Sequence, residues 1–85
     1  MKKGYYSLAL LLKKFTEIDS MNSDGYSYKM YEHNFYGDSQ VVVVNHTTGT
    51  YCYTEETLSY TIENDNEFEW YKLRKKGEWL HVLRK

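Results

Sequence analysis

Apolar residues recur every three or four positions in the first part of this chain and every second position after residue 25, and that change of period constrains the fold most. Leu8, Leu11, Leu12, Phe15 and Ile18 fall on one stripe, which predicts an amphipathic helix over residues 4–18 with that stripe as core. Tyr26, Tyr28 and Met30 alternate with Ser27, Lys29 and Tyr31, residues 40–44 end in four consecutive β-branched valines, and Tyr51 and Tyr53 alternate with Thr50, Cys52 and Thr54. These are expected strands. Residues 19–25 gather side chains that bond to their own backbone and end in Gly25, so the chain is expected to turn there. Asn45-His46-Thr47-Thr48-Gly49 reads as a hairpin loop with a bulge, and Lys75-Lys76-Gly77 as a second hairpin loop between strands near 67–74 and 78–83. Hairpins imply antiparallel pairing.

Residues 54–64 fit two descriptions. Leu58, Tyr60 and Ile62 alternate as in a strand; equally, Thr54 could cap a short helix with Glu55 and Glu56 in its first turn. The alternation favours the strand. The expected architecture is α+β in two layers: one N-terminal amphipathic helix packed on an antiparallel sheet of four to six strands, a single domain over residues 1–85.

At 85 residues there is no room for a two-domain enzyme or a repeat array. The apolar fraction is 41%, but ten of those residues are Tyr, whose hydroxyls must reach water or a partner even when the rings are covered. A chain of this size buries only about 60% of its unfolded surface, so aromatic packing has to supply much of the stability.

One cysteine, Cys52, leaves no internal disulfide to form, and a cytoplasmic location is expected. The apolar run 5–12 behind Lys2 and Lys3 is too short for export, ends at Lys13-Lys14 and has no small-residue cleavage site. No stretch approaches the roughly 20 apolar residues that cross a bilayer, so no membrane partner is expected. Asn45-His46-Thr47 fits a glycosylation pattern but reads as an ordinary hairpin loop.

Net charge is only −1, yet the chain is bipolar. Residues 1–14 carry Lys2, Lys3, Lys13 and Lys14 and no acid, and residues 72–85 carry six cations against Glu78. Residues 15–71 carry eleven carboxylates against Lys29 alone. Exposed ion pairs between ends and middle would contribute only about 0–1 kcal/mol each and leave the surface bland. The alternative is a concentrated acidic face built from Glu55, Glu56, Glu63, Asp65, Glu67 and Glu69, with Tyr53, Tyr60, Trp70 and Tyr71 among them. Duplex DNA carries about one negative charge per 1.7 Å, so ten charges match about 17 Å of duplex, the length of a five-residue strand. Such a face attracts and occludes the basic channel of a nucleic-acid-handling protein. Tyr53 and Tyr60 would act as rigid anchors.

This combination of small size, α+β outline, tyrosine excess and acidic face resembles the small inhibitors encoded by phages and mobile elements, including uracil-DNA glycosylase inhibitors and anti-CRISPR proteins. The resemblance is one of composition and implies a host nucleic-acid-handling protein as partner; it transfers no functional residue.

Two other binding classes remain open. Lys72, Arg74, Lys75 and Lys76 near Trp70, Tyr71, Trp79 and His81 have the ingredients of a single-stranded nucleic-acid platform, although the acidic middle would repel phosphate. A self-associating subunit, dimeric or larger, could bury the Tyr-rich sheet. Catalysis is not expected: a Cys52–His46 pair lacks an orienting third group. No cofactor or metal is expected either. His33, His46, His81 and Cys52 do not have zinc-site spacing, and Ser20 to Gly25 departs from a calcium loop at both ends.

Overall fold

The structure, a computed structural model, describes residues 2–74. The chain runs β1 (Lys2–Ser7), α1 (Leu8–Lys14), β2 (Thr16–Ser23), β3 (Tyr26–Phe35), β4 (Asp38–Asn45), β5 (Thr50–Tyr53), α2 (Leu58–Glu63), a 3-10 turn (Asp65–Glu67) and β6 (Tyr71–Arg74). The six strands form one sheet in the order β1-β6-β5-β4-β3-β2. The fold is α+β and sheet-rich, as expected, but three features differ from the expectation.

The N-terminal helix is short and does not open the chain. Gly4, Tyr5 and Tyr6 are weak helix formers, and residues 2–7 pair instead with β6 in parallel, which makes the sheet mixed. Ser7 caps α1, its Oγ accepting from the Leu10 N–H at 3.2 Å. Lys13 and Lys14 close the last turn, and the aromatic and β-branched residues that follow enter β2. Of the predicted core stripe only Leu11 and Phe15 are buried; Leu8, Leu12 and Ile18 are exposed.

Residues 19–23 stay extended in β2, and the turn contracts to Asp24 and Gly25, both at positive φ. Tyr36 and Gly37 repeat this two-residue geometry between β3 and β4. In the β4–β5 loop the Asn45 Oδ1 accepts from the N–H groups of Thr47 and Thr48 at 3.0 and 3.1 Å, so the buried carboxamide closes the turn.

Finally, residues 58–63 form a helix, not a strand, with Thr57 rather than Thr54 as cap. A second helix creates a third layer. Leu11 of α1 packs with Phe15, Tyr31, Val42, Val44 and Tyr51 on one face, while Leu58 of α2 packs with Tyr28, Met30, Val43 and Cys52 on the other. The uninterrupted valine run of β4 follows directly: a central strand covered on both sides needs apolar residues at every position.

The two sheet edges differ. β2 is an exposed edge, and it is blunted: its register slips between Glu17 and Asp19, and the Asp19 Oδ1 accepts from the Ser20 N–H at 2.8 Å. At the other edge β1 brings Lys3 opposite Lys72. Of the predicted second hairpin, the first strand spans only Tyr71–Arg74, since residues 65–67 form a 3-10 turn instead; its loop and second strand lie outside the described residues.

Candidate functional site

β5 is half the length of β4, and the site is the consequence. The last register pair is Val42 with Tyr53; the Thr54 N–H then donates to the Val41 carbonyl at 3.1 Å and the chain turns out of the sheet. The Thr54 Oγ1 fixes that turn by accepting from the Glu56 N–H at 3.0 Å, and it meets the Thr61 hydroxyl at 2.9 Å under cover. Residues 38–40 thus continue past the end of β5, and Ser39 and Gln40 border an open groove of about 540 Å³.

α2 forms one wall. Leu58 and Thr61 are buried beneath it, which leaves Tyr60 on the side of the groove. Asn64 and the 3-10 turn fold the chain back, the Asn64 Nδ2 donating to the Tyr60 carbonyl at 3.0 Å, and this brings Glu67 to Tyr60. The carboxylate of Glu67 beside it, with some burial and with Glu56 nearby, pushes the Tyr60 hydroxyl up from its ordinary pKa. Phe68 forms part of the floor, and Trp70 ties the segment down by donating from Nε1 to the Asp65 carbonyl at 2.8 Å.

Of the eight residues predicted from sequence, Tyr53, Glu55, Glu56, Tyr60 and Glu67 line this groove together. Glu63, Asp65 and Glu69 are exposed but do not line it. Asp65 faces elsewhere: after burial, it is the largest influence raising the Tyr28 hydroxyl. The acids are therefore divided between the groove and the ground beyond it. No ion pair joins Glu55, Glu56, Glu63, Asp65 or Glu67 to a described Lys or Arg, whereas Glu17 of β2 holds Lys29 of β3 at 3.0 Å.

Sequence reasoning did not assign Ser39, Gln40 or Val41 to the site. They join it through the β3–β4 register, which also brings in Glu32: the Ser39 Oγ donates to its Oε2 at 2.7 Å. Across the end of β5, Tyr53 gathers the hydroxyls of Tyr51 and Tyr6, and Tyr6 donates to the Gln40 Oε1 at 2.9 Å. Burial chiefly, with those neighbouring phenols, raises the Tyr53 hydroxyl far above its ordinary range, so it stays protonated as a donor. Tyr53 and Tyr60 remain 37% and 40% exposed, half-covered rings of the kind that serve as contact anchors.

A scan of protein-family models, a search of curated proteins and a search of solved structures each return no significant match.

The arrangement places three carboxylates and two phenols along one open groove. Among the described residues no group of three or more His, Cys, Asp and Glu is placed to hold a metal ion, and no helix is long and apolar enough to cross a membrane. Cys52 and His46 are not partners. Cys52 packs under α2, whereas the His46 Nε2 lies 2.8 Å from the Tyr31 hydroxyl on the α1 face. Burial pushes the Cys52 thiol up to about 12, which leaves little thiolate to act as nucleophile. Of the basic platform, Lys72 and Arg74 lie on β6, the Arg74 guanidinium 6.0 Å above the Tyr5 ring; Lys75, Lys76, Trp79 and His81 lie outside the described residues.

Proposed function

We propose that this chain is a small protein-binding inhibitor of the phage or mobile-element type, of the anti-CRISPR or DNA-mimic kind. It acts in the host cytoplasm by presenting an acidic, tyrosine-bearing groove to the basic surface of a nucleic-acid-handling protein. One observation carries the reading: Glu55, Glu56 and Glu67 converge with Tyr53 and Tyr60 on a single open groove, without a described cation paired to any of the three carboxylates. Clustered like charge of this kind costs the folded state some self-repulsion and is useful when an oppositely charged partner neutralises it. The aromatic rings add contact area at low cost in side-chain entropy.

The experiment is capture from nuclease-treated host lysate by wild-type chain and by the triple variant E55K/E56K/E67K. Wild type should retain basic nucleic-acid-binding proteins in a salt-sensitive way, and the variant should associate at least about tenfold more slowly, with a weaker salt dependence. Equal retention by the two removes the reading.

A second reading, direct binding of single-stranded nucleic acid, is favoured by Lys3 opposite Lys72 and by Arg74 over Tyr5 at the β1–β6 edge. It predicts oligonucleotide binding that collapses with salt and on replacement of Lys72 and Arg74, and that E55K/E56K/E67K strengthens.

A further inference from the structure

We infer that the groove takes an extended, lysine- or arginine-bearing segment of the partner as an added strand along β4, a step that rests on the inhibitor reading above. A strand residue turns its N–H and C=O to one side and its neighbours turn theirs to the other. The Val41 carbonyl points toward β5, since it accepts from Thr54 there. Ser39, two residues earlier, therefore aims both of its backbone groups to the same side, beyond the point where β5 has left the sheet. Asp38 and Gln40 turn theirs to β3, where Phe35 and His33 are their register partners.

Ser39 thus presents a donor and an acceptor to the groove, and no described backbone group pairs with them. This is an exposed strand edge inside a cleft, the geometry of β-strand addition. An added strand would lie about 4.8 Å from β4 and point alternate side chains at the wall carrying Glu55, Glu56, Tyr60 and Glu67. That wall selects lysine and arginine.

The probe is the peptide acetyl-Lys-Thr-Lys-Thr-Lys-Thr-amide, titrated into the full chain by calorimetry. Two further peptides carry backbone N-methyl groups on the three Lys or on the three Thr. Strand addition uses only alternate N–H groups, so one methylated peptide should lose binding at least about tenfold and the other should keep it. Ser39→Pro removes the groove-side donor while Asp38 and Gln40 continue to serve β3; it should weaken the parent peptide, and Ser39→Ala should not. Loss of parent-peptide binding in E55Q/E56Q/E67Q completes the expected pattern. If both methylated peptides bind like the parent, or the parent does not bind wild type, strand addition is overturned while the inhibitor reading stands on its capture experiment. If E55Q/E56Q/E67Q binds the parent peptide as wild type does, the acidic groove is not the recognition surface and both fall.

Discussion

The phenolic oxygen of Tyr51 accepts a hydrogen bond from the backbone N–H of Tyr5 at 3.0 Å, reaching from β5 past β6 to β1. It does so where the β1–β6 ladder is interrupted, between the pairs Lys3–Lys72 and Ser7–Arg74. A side chain thereby satisfies a donor that the parallel ladder leaves over. Gly4 makes room for it: a Cβ at that position would overlap the Tyr51 ring and hydroxyl.

Gly4→Ala should consequently destabilise the fold by about 1–3 kcal/mol through overpacking, and Tyr51→Phe by about 1–3 kcal/mol through the stranded Tyr5 N–H. The two positions should also be coupled. In a Tyr51→Ala background the Gly4→Ala change should cost much less, giving an interaction energy of about 0.5–3 kcal/mol in a double-mutant cycle by urea denaturation. Additive costs would mean that the ring does not occupy the space above Gly4.

Leu11 and Leu12 are neighbours with opposite fates. Leu11 is 0% exposed and central to the α1-side core, whereas Leu12 is 58% exposed. Leu11→Ala should cost about 2–5 kcal/mol and Leu12→Ala should fall within about 0.5 kcal/mol of wild type, measured as paired denaturation midpoints at constant slope. Similar losses at the two positions would mean that α1 is rotated about its axis from the orientation described.

Those leucines also mark what the sequence could and could not convey. Periodicity alone placed Leu8, Leu11, Leu12, Phe15 and Ile18 on one stripe, but a stripe has no ends. The decisive signal was Ser7, a cap immediately before the leucine run, with Gly4, Tyr5 and Tyr6 ahead of it. Thr57 gives the same lesson for α2: the cap lies one residue before Leu58, while the alternation of Leu58, Tyr60 and Ile62 imitates a strand. The strands from Tyr26 to Tyr53 were legible because β-branched runs and glycine-closed turns act locally. The parallel β1–β6 pairing was not, since it joins residues about seventy positions apart and leaves no local pattern. At the candidate site, proximity in sequence anticipated Glu55, Glu56, Tyr53, Tyr60 and Glu67. Ser39 and Glu32 enter only through the register of β3 with β4.

Stability should respond to His46 in acid. Burial, reinforced by the nearby charge of Lys29 and opposed by Glu17, lowers this imidazole below its ordinary value of 6.5 in the folded chain. Above that value both folded and unfolded chains carry it neutral, and its contribution is full. As pH falls through about 6.5 the unfolded chain takes up the proton first, so stability declines until the folded pKa is passed and then levels off with respect to this group. Urea midpoints from pH 7.5 to 5.0 should therefore fall in wild type and fall less steeply in His46→Gln. Equal slopes would assign the decline to other groups.

The groove itself can be tested without any partner, through the titration of Tyr60. Glu67 acts on this phenol first by its charge, then comes partial burial, then Glu56, and all three disfavour the phenolate. Glu67→Gln should lower the Tyr60 midpoint toward the ordinary phenol value, and Glu63→Gln, outside the groove, should leave it in place. Added salt should produce a smaller shift in the same direction, because the Debye length contracts to about 3 Å at 1 M and screens the exposed carboxylates. Tyrosine ring-carbon chemical shifts followed by NMR against pH, with Tyr60→Phe identifying the resonance, provide the measurement. A midpoint indifferent to Glu67 would mean that residues 64–67 do not fold back onto α2, and the convergence of carboxylates on which the groove depends would be absent.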